Sequence, residues 1–438
     1  MEAYTTDEPI YALATAFAPS ALSVIRTSGD DCIQMISRIF SSKKRLMDAK
    51  SKTLVHGYLE TLEGERIDEV VLSVYRKGQG YTGEEAVEIS AHGSLAGLKR
   101  IFRALEDVGF RKAKRGEFTF RAFMHGRMDL TQAEAVEEII SSKSELSQAK
   151  ALDRLEGRLR SRLEEYREKL IYILSSLEVQ LDYAEDEIPE DWIFPEDDVD
   201  EMILGLERLL SSYDSSRLYR EGAKIVLAGS TNAGKSSLFN LLMKENRAIV
   251  SSIPGTTRDY IEAWSNIRGI PVRLFDTAGL RESEDEVESE GIKRSEKLMD
   301  EADLILFLVD PLDPKLPEKK RDNMIVIYSK SDIEKRDGLS ISSETGDGIE
   351  ELFDKIEDFL SKGATELDEI VIDSERQKED IASTLETLRT VRDLRRDTSV
   401  DVYALYFQSA LDTIGAITGE VTNEELLDTL FSKFCVGK

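Results

Sequence analysis

Residues 229–236 read GSTNAGKS and match a glycine-rich phosphate-binding loop. The loop follows an apolar run that predicts a strand and precedes a run that predicts a helix, which is the context that this motif requires. Backbone N–H groups of such a loop, at the positive end of a helix, can cradle the phosphates of a nucleotide. Lys235 would neutralise these phosphates, and Ser236 would hold Mg²⁺.

Two later motifs indicate the machinery of a nucleotide hydrolase. PGTTRD offers Thr256 or Thr257 as a ligand of Mg²⁺ that also senses the terminal phosphate. DTAG ends a predicted strand, so Asp276 can hold Mg²⁺ through water while the amide of Gly279 meets the γ-phosphate.

A fourth motif, SKSD, also ends a predicted strand, where the base of the nucleotide should lie. Asp332 can accept hydrogen bonds from N1 and N2 of guanine, and SSETGDG (342–348) could close over the base, so the motifs together indicate GTP. The usual guanine motif begins with asparagine, and Ser329 predicts weaker base affinity. The predicted nucleotide-binding residues are Asn232, Ala233, Gly234, Lys235, Ser236, Ser237, Ser251, Ser252, Ile253, Pro254, Gly255, Thr256, Thr257, Asp276, Thr277, Ala278, Gly279, Ser329, Lys330, Asp332, Ser342, Ser343 and Glu344.

Two groups that usually complete such a site are missing. Leu280 follows DTAG, where Ras-like enzymes carry the glutamine that orients the attacking water. The acidic run RESEDEVESEG comes next, and Glu288 or one of its neighbours is a candidate for that role, against the alternative of a solvated charge run. No arginine is poised as a finger, but the side-chain carbonyl of Asn232 could bind a monovalent cation such as K⁺ beside the phosphates.

The elements that must position these motifs divide the 438 residues into four stretches. Residues 1–118 predict a compact α/β domain, with strands at LSVIRTSG and EVVLSVYR and a helix over LAGLKRIFRALEDVGF. Residues 119–220 are helical in pattern, and residues 366–438 are helical again. Residues 221–365 alternate strand and helix as in a parallel sheet, with buried strands predicted at KIVLAGS, VRLFDTAG, LILFLVD and MIVIYSK. The predicted fold is therefore a multidomain one, with an N-terminal α/β domain and a split all-α domain interrupted by a Ras-like P-loop G domain.

Two local patterns give further predictions. Apolar residues recur at helical spacing from Thr131 to Ala184, which predicts a long amphipathic helix. The first apolar run, YALATAFAPSALSVI, follows acidic rather than basic residues, so we expect a buried strand and not a secretion signal.

The composition limits the possible partners and location. The formal net charge of −28 would repel RNA, so a role with nucleic acid needs a local basic patch or a basic partner. Two cysteines cannot form a disulfide framework, which predicts a reducing, cytoplasmic compartment. No stretch approaches the roughly 20 apolar residues of a membrane span.

The chain ends in FSKFCVGK, with Cys435 close to the terminus. Lipid attachment is disfavoured, because the two residues after the cysteine should be aliphatic and here Gly437 is one of them. A buried thiol that packs as a small hydrophobe and a reactive thiol at a site both stay open. Packing between the helices before and after the inserted domain would bring this tail near the first half of the chain.

The order of these parts resembles the tRNA-modifying GTPases called MnmE or TrmE over essentially the whole chain. The most specific matches are YTGEEAVEI, RGEFTFRAFMHGRMDLTQAEA, GSTNAGKSSLFN, PGTTRD, DTAGLRESEDEVE and the terminal FCVGK. The resemblance implies a homodimeric GTPase that depends on K⁺ and Mg²⁺ and works with an FAD-containing protein of the MnmG or GidA type. Such complexes place an aminomethyl or carboxymethylaminomethyl group on C5 of the wobble uridine of tRNA.

The resemblance also implies roles for particular residues. A 5-formyl-tetrahydrofolate or related folate would touch Arg26, Glu88, Arg127 and Lys438, although lysine is commoner in the family at Arg127. Glu288 would position the water, and Cys435 would be an active-site thiol. The implied metal ligands are Asn232, Ser251, Ile253 and Thr256 for K⁺, and Ser236 and Thr257 for Mg²⁺.

Two other functions stay open at this level. One is a ribosome-assembly or regulatory GTPase switch, although such proteins usually add a basic RNA-binding module that is not evident here. The other is a folate-dependent one-carbon transferase that GTP only regulates, which the residues of the first domain do not exclude.

Overall fold

The computed structural model describes residues 4, 6–182, 192–245, 261–276, 296–317, 319–360, 370–394, 398–420, 422 and 424–437. The chain divides into two units. The first unit consists of Met1–Glu137, Arg154–Ser175 and Gln408–Lys438, and the second of Glu138–Asp153 and Ser176–Phe407. None of the helices in the described ranges is long and apolar enough to cross a membrane.

The first unit contains a six-stranded sheet in the order β3-β4-β5-β2-β1-β6. Its strands pair antiparallel, except that β1 and β6 run parallel. The strands are β1 (Ile10–Leu13), β2 (Ser20–Ser28), β3 (Thr53–Glu60), β4 (Arg66–Tyr75), β5 (Ala86–Gly93) and β6 (Arg111–Lys112). The two strands predicted from sequence are therefore confirmed as β2 and β4. The first apolar run is not one strand, because it leaves the sheet after β1 and Phe17 is 56% exposed.

Three helices accompany this sheet, namely α1 (Cys32–Ser37), α2 (Lys43–Met47) and α3 (Leu95–Asp107). The predicted helix is confirmed as α3, and it begins where the Ser94 hydroxyl accepts a hydrogen bond from the N–H of Gly97. One face of α3 is buried in a core with the alternate, inward-facing residues of β3, β4 and β5.

The predicted long helix from Thr131 to Ala184 is wrong, because that stretch forms three helices. They are α5 (Leu130–Ser141), α6 (Glu145–Leu155) and α7 (Arg158–Asp182), and they follow the short α4 (Glu117–Met124). Gly157 lies between α6 and α7 with φ of 87°, a left-handed conformation that ends a helix. Apolar spacing continues across this break, so periodicity alone does not reveal it.

The second unit contains a five-stranded sheet in the order β11-β10-β7-β9-β8. All pairs are parallel except the edge pair of β8 and β9. Four of the strands are those predicted from sequence, and they confirm an α/β fold with crossovers. The elements are β7 (Ala223–Gly229), α9 (Lys235–Glu245), β8 (Ile261–Ile267), β9 (Ile270–Asp276), β10 (Leu304–Val309), β11 (Met324–Tyr328) and α10 (Ile349–Leu360).

Two long helices of the second unit pack side by side, α8 (Glu196–Glu221) and α11 (Glu375–Asp393). Arg220 at the end of α8 donates to both the backbone and the carboxylate of Asp373, just before α11. Two further helices are α12 (Val400–Thr418) and α13 (Glu424–Phe431), so helices lie on both sides of the sheet-forming region in sequence.

A buried ion network joins α4 to the sheet of the first unit. Arg121 is fully buried and donates to Glu84 (3.1 and 3.2 Å), to Glu117 (3.1 Å) and to the carbonyl of Glu8 (2.7 Å). Arg111 donates to both carboxylate oxygens of Glu117, at 2.9 and 2.6 Å. Burial alone would raise the pKa of Glu117, but the hydrogen bonds and the two guanidinium charges hold it below its usual value.

Replacing Glu117 with glutamine should destabilise the first unit by about 3–5 kcal/mol at neutral pH, because it removes the buried negative charge that Arg121 and Arg111 share. The folded pKa of Glu117 is depressed, so its contribution is present above the unfolded pKa of about 4.3 and is lost as pH falls through the folded value. The midpoint of urea unfolding, measured at several pH values, should therefore show a deficit for Glu117→Gln that shrinks in acid. The exposed control Glu63→Gln should match the native protein, and equal midpoints for all three at pH 7 would contradict the prediction.

Candidate functional site

The phosphate loop lies between β7 and α9, as the sequence predicts. Gly229 ends β7 with φ of 133°, and a Cβ there would lie 2.2 Å from the carbonyl oxygen of Leu308 on β10. No other residue fits this close approach. Asn232 is exposed and also left-handed, with φ of 66°, so the loop turns sharply before α9 begins at Lys235. The backbone N–H groups of the loop are thereby placed at a helix N-terminus, where binding of an anion is favoured.

The residues that would meet the phosphates and Mg²⁺ are adjacent. The ammonium group of Lys235 donates to the carbonyls of Gly229 and Ser230, at 3.0 and 2.7 Å, so it lies over the loop. The hydroxyl of Ser236 donates to the carboxylate of Asp276 at 3.2 Å. Asp276 is buried at the end of β9, the neighbour of β7 in the sheet. A hydroxyl and a carboxylate so placed are hard oxygen donors that fit Mg²⁺.

The guanine motif follows β11, next to β10, and its first two side chains have partners within the protein. Ser329 is buried, and its hydroxyl donates to the carbonyl of Val309 at 3.3 Å. The same hydroxyl lies 3.8 Å from the position that a Cβ would take at Gly234. Ser329 therefore packs close to the phosphate loop at Gly234. Lys330, with a left-handed φ of 54°, forms an ion pair with Asp310 at 2.5 Å.

Asp332, the predicted acceptor for the base, is exposed, and the SSETGDG loop lies against its motif. The backbone N–H of Ser331 donates to the carbonyl of Ile341, and its hydroxyl donates to Asp347 at 3.3 Å. Ser342 is fully buried and accepts hydrogen bonds from the backbone N–H groups of Glu344 and Thr345. The structure thus brings the two loops together, and within SSETGDG the next residues are Ser343, which is half-buried, and Glu344, which is exposed.

Several predicted residues lie outside the described part of the chain. The segments PGTTRD and RESEDEVESEG lie outside it, and so does the last residue, Lys438. These residues are Ser251, Ser252, Ile253, Pro254, Gly255, Thr256, Thr257, Thr277, Ala278, Gly279, Glu288 and Lys438.

A second group of predicted residues converges in the first unit. Arg26 on β2 forms an ion pair with Glu88 on β5 at 2.8 Å, because the two residues are direct partners across the strands. The same guanidinium donates to the carbonyl of Gly437 at 3.4 Å and lies 5.4 Å from the centre of the Tyr81 ring. The tail of the chain is thus bound at the Arg26–Glu88 pair.

Arg127, which follows α4, lies against the loop before β5. A Cβ built on Gly83 would lie 3.3 Å from the side-chain stem of Arg127, which leaves the exposed guanidinium beside the YTGEE segment. The ring of His125 hydrogen-bonds the carbonyl of Thr82 at 2.8 Å. Two guanidinium groups and a carboxylate are a donor set that fits a folate, whose pterin has N–H donors and whose tail has carboxylates.

The C-terminal tail is docked by aromatic packing and by a short backbone bridge. Phe431 packs on Phe120 of α4, Phe434 packs on Phe431, and both are buried. The carbonyl of Cys435 accepts from the N–H of Gly116 at 3.3 Å. Cys435 itself is exposed, so the alternative of a buried, packed thiol is wrong. The side chain faces outward because the neighbouring Phe434 takes the inward position.

Sequence reasoning missed two residues that shape these sites. Asp310 follows β10, beside β11, and a carboxylate at that end of a parallel sheet is a signal that could have predicted its pairing with Lys330. Tyr81 lies between Arg26 and the hydroxyl of Thr119, to which it is hydrogen-bonded at 2.9 Å. Nothing in its local sequence predicts this arrangement.

Comparison with protein families covers most of the chain. The model described as the N-terminus of the GTP-binding protein TrmE matches residues 9–127, and the MnmE helical domain model matches residues 130–435.

Curated relatives match along nearly the full length. A tRNA modification GTPase MnmE from Treponema denticola is 39% identical over 467 residues and covers 99% of each chain. One from Borrelia recurrentis is 40% identical with the same coverage, and one from Aquifex aeolicus is 38% identical over 98% of this chain and 100% of its own. Among solved structures, the G domain of the T. maritima FeoB iron transporter is 26% identical over 33% of this chain and 99% of that chain, at a TM-score of 0.24 that carries no argument.

The two thiols should differ sharply in reactivity in the native protein. Cys32 is fully buried, and burial raises its pKa to about 12, whereas Cys435 is exposed. Ellman's reagent should react quickly with one thiol, releasing one equivalent of thionitrobenzoate, and with the second thiol only in denaturant. Cys435→Ser should abolish the fast phase, and two fast equivalents in the native protein would contradict the assignment.

Proposed function

The chain belongs to the MnmE family of tRNA modification GTPases, and on that premise we propose that it modifies C5 of the wobble uridine of tRNA together with a flavoprotein of the MnmG or GidA type. The product would carry an aminomethyl or carboxymethylaminomethyl group. In this proposal GTP hydrolysis, supported by K⁺ and Mg²⁺, drives rearrangement of the G domain as a conformational switch.

One observation carries this proposal: the exposed thiol of Cys435 lies on a tail whose Gly437 carbonyl accepts a hydrogen bond from Arg26, which is paired with Glu88. A GTPase switch alone has no use for an exposed thiol two residues before a glycine that is bound at such a charged pair. The thiol group therefore supports a second chemical site, in the first unit, besides the GTP site of the second unit.

At the GTP site, the proposed work of the described residues follows from their positions. Lys235 would move from the loop carbonyls to the phosphates, and the loop N–H groups would orient them. Ser236 and Asp276 would hold Mg²⁺, which supplies charge neutralisation at the phosphates when bound. Asn232 stands on the exposed turn of the loop, where its carbonyl can take part in binding K⁺. Glu288 is proposed to position the attacking water.

At the second site, Arg26, Glu88 and Arg127 would contact a folate such as 5-formyl-tetrahydrofolate. Guanidinium groups can donate to its carbonyl and carboxylate oxygens, and Glu88 can accept from its pterin. Lys438, next to the docked Gly437, would add a further cation. A bound folate of this kind supplies a one-carbon unit. Cys435, exposed at the same tail, would act as the thiol of this site.

The proposed organisation has four stretches. An N-terminal folate-binding and dimerisation domain spans 1–118, the inserted G domain spans 221–365, and the helical domain consists of 119–220 and 366–438. The protein would be a cytoplasmic homodimer, and the flavoprotein partner would supply the redox step.

GTP turnover should be at least about tenfold faster in K⁺ than in Na⁺. This rate increase is smaller than the roughly 10³-fold or more that an arginine finger provides. Asn232→Ala should remove this difference, because it deletes the proposed carbonyl ligand, while Asn240→Ala on the exposed side of α9 should keep it. Steady-state phosphate release in the two salts is the measurement. Equal native rates in both salts would sink the proposed K⁺ site.

Cys435→Ser should leave GTP hydrolysis unchanged but lower wobble-uridine modification at least about tenfold, as expected for loss of a nucleophile. The test is mass spectrometry of tRNA from cells that lack the native protein and express each variant. Ser432→Ala, whose hydroxyl bonds only within the last turns of the tail, is the matched control. Normal modification in cells without the protein would overturn the proposed function itself.

A further inference from the structure

A basic segment at residues 38–52 interrupts the acidic character of the chain. It contains six basic side chains and one carboxylate, a local excess of five positive charges in a protein with a net charge of −28. It begins with Arg38, the residue after α1, contains the whole of α2 and ends just before β3. The basic residues are Arg38, Lys43, Lys44, Arg45, Lys50 and Lys52.

All six of these side chains are exposed. Within the part of the chain that the structure describes, none of them forms an ion pair or a side-chain hydrogen bond. Other surface cations do find carboxylates, as Lys77 does with Asp30 and Lys224 does with Glu301. With 86 carboxylates in the chain, six neighbouring cations without one leave an uncompensated positive surface.

The backbone that carries these cations is held firmly in place. The guanidinium of Arg76 donates to the carbonyls of Met47 (2.6 Å) and Ala49 (2.9 Å). The backbone N–H of Arg76 donates to the hydroxyl of Ser51 at 3.0 Å. Leu46, in the middle of α2, is fully buried in the core. The basic side chains therefore extend from a fixed loop, which lowers the entropy that binding a ligand would cost.

The net charge of the whole chain does not cancel this local field. At physiological ionic strength the screening length is about 8 Å, so exposed carboxylates farther away contribute little at the segment. A polyanion with closely spaced charges can engage several of the cations at once and release its counterions. An acidic protein surface lacks this regular spacing.

We propose that the basic segment is a binding surface for the phosphate backbone of tRNA. The inference rests on the tRNA substrate of the proposed function, and it locates on this chain the local patch that an acidic protein needs in order to hold RNA. Lysine and arginine contacts of this kind position the nucleic acid and do not read its sequence. The segment would therefore serve any tRNA that the protein modifies.

The chain offers a matched control for the test. The triplet Lys-Lys-Arg occurs at 43–45 and again at 319–321, where Arg321 is paired with Asp300 and the surroundings are acidic. Lys319 and Lys320 are exposed, like Lys43 and Lys44. The variants K43Q/K44Q and K319Q/K320Q thus remove the same charge from the same local sequence in different surroundings.

Binding of the full-length protein to unfractionated, 3′-labelled tRNA should be measured by fluorescence anisotropy between about 50 and 200 mM salt. K43Q/K44Q should weaken binding by about tenfold and lower the slope of log affinity against log salt by about 1 to 2, since each lost phosphate contact contributes about 0.7 to 0.9. K319Q/K320Q should bind as the native protein does, and both variants should keep the native basal GTPase rate.

Three outcomes would overturn the proposal. If K43Q/K44Q binds tRNA with native affinity and slope, the basic segment is not a tRNA-binding surface. If both variants lose the same affinity for tRNA, the effect is one of general charge and not of this segment. Native tRNA binding combined with lost binding to the flavoprotein would make the segment a protein-docking surface. None of these results bears on wobble-uridine modification in cells lacking the protein, so failure of this inference and failure of the proposed function can be told apart.

Discussion

The burial of Arg121 among carboxylates is the constraint on which the first unit depends. A guanidinium taken fully out of water is tolerated only when carboxylates and hydrogen-bond acceptors surround it, and here they come from three places in the sequence. Glu117 lies on its own helix, Glu84 on the loop before β5, and the carbonyl of Glu8 just before β1. One cation therefore fixes the relation of α4 to the sheet and sets the position of the YTGEE loop, which in turn contacts Arg127.

The same helix then determines where the chain ends. Because α4 is held against the sheet, its Phe120 presents a ring on which Phe431 packs, and Phe434 packs on Phe431 in turn. Gly116 allows the backbone of Phe431 to approach within 2.5 Å of where a Cβ would lie. Burial of Phe434 turns the next side chain, Cys435, to the surface. The exposed thiol and the Gly437 carbonyl on Arg26 are thus consequences of how α4 is anchored.

The sequence predicted the elements of the fold better than the partners of side chains. Long apolar runs bounded by glycine or acidic residues predicted the parallel strands β7, β9, β10 and β11, since a strand buried on both faces needs such a run. Helical periodicity failed at Gly157, where backbone conformation ends a helix without any change in apolar spacing. The hydroxyl of Ser329 bonds to Val309, and Lys330 pairs with Asp310, because β10 and β11 are neighbours in the sheet. The order of strands in a sheet is set by the tertiary fold, so it cannot be predicted from a single motif.

A strongly acidic chain can still handle phosphates if each site is local. The phosphate loop does so with backbone N–H groups at a helix N-terminus and one lysine, an arrangement whose field comes from aligned dipoles and does not depend on net charge. In our proposal the basic segment does so with side chains whose backbone is held by Arg76, and screening reduces the effect of more distant carboxylates. Both devices confine attraction to a chosen surface, whereas a basic protein would attract nucleic acid over all of it. The acidic surface of the rest of the chain repels RNA. Binding at these two surfaces is therefore favoured over binding elsewhere on the protein.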